Sequence, residues 1–192
     1  KTESIFEKNN VSVYVPENAF YNNFYMNFDV SNDIVTLHDD SVPVHKNITL
    51  TFNDVVGLTE EQLSKTYIAT LDGYKLDYNK TYRKGNSFSV KTKTLGKYKL
   101  AQDTTPPRIY NVNFVEGKKL TDQKTISVSV TDLHSDIDTY NGYLNGKWIL
   151  FEYDNKTKKI THFFFFFFFF EWANELKIIV IDNLGNSTIF ET

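Results

Sequence analysis

The chain holds a single Pro-Pro pair, Pro106-Pro107, near the middle of its 192 residues. Two successive prolines remove two backbone donors, fix φ at both positions and push the preceding residues toward extended backbone. Neither a helix nor a central sheet ladder runs through such a pair. The stretch Asp103-Thr104-Thr105-Pro106-Pro107 therefore reads as a short, stiff seam. On either side the chain breaks into short apolar runs punctuated by Gly, Asn and Asp. Two modules follow from this, residues 1–102 and 103–192, each in the size range of a β-sandwich.

In the first module, residues 11–15 (VSVYV) alternate up to Pro16. Phe24, Met26 and Phe28 alternate with Tyr25, Asn27 and Asp29, which predicts a second strand with one apolar face. The polar stretch from Thr36 to Asp40 reads as a turn. Ile48, Leu50 and Phe52 share a face of the next strand. Thr59 with Gln62 three positions on, and Glu60 and Glu61 in the first turn, predicts one short capped helix. Asp72-Gly73 between two apolar runs predicts a type I′ hairpin. Ser87–Thr92 and Lys97–Gln102 complete a set of about eight strands.

In the second module, Ile109–Phe114 starts a new run and Glu116-Gly117-Lys118 turns it. Ile126, Val128 and Val130 alternate with serines. Asn145-Gly146 predicts a further type I′ hairpin. Leu176–Ile181 is apolar in both phases and reads as a central strand covered on both faces. Asp182-Asn183-Leu184-Gly185-Asn186 is a tight turn before a last strand. About seven strands with turns every 8–12 residues or so is the immunoglobulin-like pattern, here without its cysteines. The fold class is thus all-β: two consecutive β-sandwich modules, the second immunoglobulin-like.

Phe163–Phe170 is a run of eight phenylalanines. As a half-buried strand it would leave about four rings in water. As a helix it is too short for a bilayer, which needs about 20 residues. Its flanks, Lys156–His162 and Glu171–Asn174, are polar. The run could be a hydrophobic or membrane-touching loop tip or a buried strand; with these flanks it reads first as a stand-in for a segment whose true residues are not established, and no function is drawn from it.

Little catalytic chemistry is written in the rest. A net charge of −3 with both signs scattered gives no nucleic-acid footprint. Without cysteine there are no disulfides, thiol nucleophiles or cysteine zinc sites. His38, His45, His134 and His162 are scattered; His134 and Asp138 make one His-x-x-x-Asp spacing, short of the three converging ligands zinc needs. Calcium is the better metal candidate, because Asp132, Asp136 and Asp138 cluster in one loop and calcium takes hard oxygens. Asp is equally at home in turns for its own backbone bonding. Asp103 and Asp182 could share that end of the module or lie at the other. Tyr67, Tyr74, Tyr78, Tyr82 and Tyr98 could form a sugar-stacking face, or be ordinary strand residues with a polar tip. Asn47, Asn79, Asn155 and Asn186 open Asn-x-Thr triplets, which recur by chance in an Asn- and Thr-rich chain. There is no signal peptide and no transmembrane run in the given sequence.

The second half resembles the immunoglobulin-like modules of bacterial envelope proteins. The matching pieces are Asp103-Thr-Thr-Pro-Pro107, Val128-Ser-Val-Thr-Asp132, Leu144-Asn-Gly-Lys-Trp148 and Val180-Ile-Asp-Asn-Leu-Gly-Asn186. The first half resembles a ZU-five-like β module, on Val13-Tyr-Val-Pro-Glu-Asn-Ala-Phe20 and Val42-Pro-Val-His45. In their order, ending Leu95-Gly-Lys-Tyr-Lys-Leu-Ala-Gln-Asp103, these pieces resemble the C-terminal region of LytM/lysostaphin-type zinc metallopeptidases, metallopeptidase family twenty-three. That resemblance implies a parent that cuts peptidoglycan cross-links with zinc held in an upstream catalytic domain. No zinc ligand carries over: the His-x-His motif is missing, and His134 and Asp138 lie in the wrong module. The chain itself is expected to be a non-catalytic, cofactor-free accessory region. It would position the peptidase or dock on an envelope protein partner or peptidoglycan, in the periplasm, on the outer-membrane surface or outside the cell. The alternatives are a stand-alone adhesion or carbohydrate-binding pair of modules, and a structural subunit of an outer-membrane protein assembly.

Overall fold

The computed structural model describes residues 2–117, 123–164 and 174–192. The chain forms two compact units, Lys1–Asp103 and Thr104–Thr192. Lys118 of the predicted turn and Phe165–Phe170 of the phenylalanine run lie outside the described residues. Both units are antiparallel sandwiches, and each is taken by itself below.

The first unit runs β1 (Ser4–Lys8), β2 (Val11–Val15), β3 (Phe28–Ser31), β4 (Ile34–Leu37), β5 (Ile48–Phe52), α1 (Glu60–Ser64), β6 (Thr66–Asp72), β7 (Lys75–Asn79), β8 (Thr81–Lys84), β9 (Ser87–Thr92) and β10 (Gly96–Gln102). One sheet has the order β1-β2-β5-β9-β8 and the other β3-β4-β10-β6-β7. Alternation explains the core. Val13, Leu50 and Val90 are in register across three strands of the first sheet, as are Val11, Phe52 and Phe88. All point inward, against Val35, Leu37, Ile68 and Tyr98 of the second sheet. The helix carries the predicted capping box: Thr59 Oγ1 accepts from Gln62 N–H, and Gln62 Oε1 accepts from Thr59 N–H.

Several local readings shift. The strand expected over Phe24–Phe28 begins only at Phe28. Phe24 and Met26 do pack on the core, but Phe28 already pairs with Leu37, the last residue of β4. The chain then turns at His38 with φ 48°, so beyond the bonds between Asn27 and His38 the residues before Phe28 have no continuing ladder to join. The polar stretch Thr36–Asp40 is not a single turn: Thr36 is the outward residue of β4, between buried Val35 and Leu37. The hairpin turn between β3 and β4 is Asn32-Asp33, both left-handed at φ 51° and 60°, and the chain turns again after β4, where Val42 N–H donates to Asp39 O at 3.4 Å. The hairpin at Asp72-Gly73 slides by one residue. Asp72 pairs with Lys75, leaving Gly73-Tyr74 as the loop, with Gly73 first and at positive φ, the II′ pattern.

Of the five tyrosines, Tyr67 and Tyr98 are buried, while Tyr74 and Tyr82 are exposed on a loop tip and on the other sheet, so no common stacking face forms. Tyr98 instead closes a corner. Its hydroxyl donates to Thr94 O at 2.5 Å and meets Thr92 Oγ1 at 3.1 Å. Tyr98→Phe is expected to cost about 1–2 kcal/mol of stability, read by urea denaturation, because acceptors shaped around that hydroxyl lose it. An unchanged midpoint would show that water replaces it.

Arg83 of β8 grips Glu60 at the start of α1 with two parallel bonds of 2.8 and 2.7 Å. These bonds hold the Glu60 carboxyl below the usual glutamate range. A depressed carboxylate stabilises the fold above its unfolded pKa and ceases to as pH falls through the folded one. Arg83→Gln should therefore lower stability slightly at neutral pH and remove this part of the acid limb, both being read from pH-dependent denaturation. Parallel wild-type and variant curves from neutral to strongly acid pH would refute the linkage.

The second unit runs β11 (Arg108–Tyr110), β12 (Thr125–Thr131), β13 (Ile137–Leu144), β14 (Lys147–Ile149), β15 (Glu152–Asp154), β16 (Lys159–Phe163), β17 (Leu176–Asp182) and β18 (Ser187–Glu191). Its sheets have the orders β11-β12-β16-β15 and β14-β13-β17-β18. With the strands lettered in chain order these are A-B-E-D and C′-C-F-G, the immunoglobulin arrangement. Val128 and Ile160 face Ile178 and Val180 across the core. The Asn145-Gly146 loop is the predicted type I′ turn, with φ 51° and 74° and Leu144 paired to Lys147.

Candidate functional site

Two parts of the second unit carry chemistry that packing alone does not require. One is a loop end rich in carboxylates, and the other is the outward face of the C′-C-F-G sheet.

At the loop end, β12 leads into Asp132 and β17 ends on Asp182. Asp132 Oδ2 accepts from the N–H groups of His134 and Ser135, at 2.9 and 2.7 Å, which folds its own loop. Asp182 is 1% exposed and does the same for the next loop. Its Oδ1 accepts from Leu184 and Asn186 N–H, at 2.9 and 2.8 Å, and its Oδ2 from the Asn186 side chain at 2.8 Å. Asn183 then ties the loops together by donating to Ser135 O at 2.7 Å and, through its backbone, to Asp136 O at 3.2 Å. Carboxylate oxygens of Asp132 and Asp182 come within 4.8 Å of each other. Asp132 Oδ1 is out of solvent and has no hydrogen-bond partner among the described residues.

The three acids singled out in this loop do not gather. Asp132 is grouped with Asp182, while Asp136 and Asp138 stay outside. Asp136 sits at a left-handed φ of 62°, a position Asp tolerates. Asp138 is the extra residue where the β13 register shifts between Ile137 and Thr139, and it is exposed. His134 lies in the same loop as Asp132 and is exposed. Asp103, at the end of the first unit, is buried, and its N–H donates to Lys65 O at 2.9 Å. These carboxylates suit a hard cation in type; the bonds they make are those of turn-bracing residues.

The sheet face was legible only in part. Apolar residues in both phases of 176–181 predicted a strand covered on both sides. β17 is indeed interior to its sheet, with Leu176, Ile178 and Val180 in the core. Ile179 and Ile181 point the other way and are half-buried. Register places Ile179 beside Ile189 of β18 and Asn141 of β13, and places Tyr143 beside Trp148 of β14. Trp148 is 57% and Ile189 54% exposed. Trp148 donates its indole N–H to Asn141 Oδ1 at 3.2 Å, which fixes the ring against the face. Lys177 and Glu191 pair at 2.5 Å along one flank. The outward face thus presents Trp148, Ile179 and Ile189, with Asn141 between Trp148 and Ile179 and the Lys177–Glu191 pair in the neighbouring row.

Among the described residues no helix is long and apolar enough to cross a membrane. The family model of the Zu5-like domain matches residues 1–103, the whole of the first unit. Neither the curated proteins nor the solved structures contain a match to the chain.

Proposed function

Because the chain belongs to the Zu5-like domain family through residues 1–103, we propose that it works as a non-catalytic docking region of a cell-envelope protein. In this reading the Zu5-like unit and the immunoglobulin-like unit position a LytM/lysostaphin-type zinc peptidase, whose metal sits in another domain, by binding an envelope protein partner. The envelope and the peptidase rest on the resemblance of the motifs quoted above. The docking role rests on one observation, the outward stripe of Trp148, Ile179 and Ile189. Contiguous exposed apolar surface with a polar rim marks interaction sites on soluble proteins. Tryptophan is enriched among residues that dominate binding energy. Two isoleucines beside one tryptophan suit a protein surface better than a saccharide, whose hydroxyls want more polar partners.

A photo-crosslinking residue placed at 148, in cells making the full-length protein, should give one discrete protein adduct. The same residue at the fully exposed loop position Tyr74 serves as control and should give none. Trp148→Ala should weaken a purified complex with that adduct partner by about 30-fold, the equivalent of about 2 kcal/mol. It should leave stability within about 0.5 kcal/mol, as surface changes do. No adduct at 148 overturns the docking reading. Retention of the wild-type chain on purified peptidoglycan sacculi, lost in Trp148→Ala, would select the carbohydrate-binding alternative instead.

A further inference from the structure

We draw no further inference here: the strongest candidate, the carboxylate cluster of Asp132 and Asp182 at the loop end of the second unit, is a group of acidic side chains that brace their own loops, and its one oxygen without a hydrogen-bond partner, on the partly exposed Asp132, does not by itself mark a cation site.

Discussion

Gly142→Ala should destabilise the second unit by about 1–3 kcal/mol, the usual range for overpacking a filled core. Gly142 lies in β13 between Tyr140 and Leu144, whose side chains face the core. Its own inward position is taken by Phe151, which is 4% exposed. A Cβ at residue 142 would sit 2.1 Å from Phe151 Cε2 and 2.5 Å from Cδ2. Those are overlaps that no small rotation of a buried ring relieves. The ring must leave its place or β13 must move away from β17, which it pairs along most of its length. The expected result is a lower denaturation midpoint with an unchanged m-value. Phe151→Leu alone opens a cavity and costs about 1–3 kcal/mol. In the double variant the added methyl occupies part of that cavity. The two losses should therefore fall short of additive by at least about 0.5 kcal/mol, the size of coupling seen between touching residues. Strict additivity would show that the methyl is accommodated elsewhere.

The sequence could not announce this pairing, because nothing local links Gly142 to Phe151. A glycine inside an alternating strand signals close approach by something, without saying what. The same distinction runs through the chain. Asn145-Gly146 was legible because both residues must take positive φ and these two do so at low cost. Asn32-Asp33 makes the same kind of turn without glycine, and its strands, β3 and β4, are only four residues each. Too little periodicity survives in four residues to override the polarity of Thr36. β1 carries a weak sequence signal for another reason: it is an edge strand, Ser4–Lys8, with charged residues that blunt its open side.

The sites divide in the same way. Apolar residues in both phases of Leu176–Ile181 predict cover on both faces, which is one step beyond what the pattern itself states. Apolar in both phases means that the outer face is apolar, and cover over that face is a separate matter. Here the outer residues Ile179 and Ile181 are only half-buried, and their neighbour Ile189 is open. The acids show the converse. Asp132, Asp136 and Asp138 are close in sequence, yet a register shift in β13 sends Asp138 outward. Asp182, fifty residues from Asp132 in sequence, arrives beside it because β17 ends where β12 ends. Proximity of that kind is a property of sheet order, which composition and spacing do not encode.

Asp182→Ala should be the costliest single polar substitution in the second unit, at about 2–5 kcal/mol. Three donors, the N–H groups of Leu184 and Asn186 and the Asn186 side chain, lose this acceptor at once. Each loss of a buried partner costs about 1–3 kcal/mol, and because the three donors share one acceptor the total falls short of three separate losses. The turn they shape is what lets β18 return along β17, and Gly185, at φ 74°, completes it by donating to Asp182 O. Asp182→Asn separates geometry from charge. Its oxygen keeps the two backbone donors, and the Asn186 amide flips to present its own oxygen to the new NH2 group. The change also removes one of two neighbouring carboxylates, Asp132 being within 4.8 Å. If Asp182 serves only to brace the turn, the Asn variant should lose no more than about 1 kcal/mol, a small part of the Ala loss. If Asn proves as damaging as Ala, the negative charge itself is needed. A counter-charge at this loop end would then have to be sought, first by calcium titration of the wild-type denaturation midpoint.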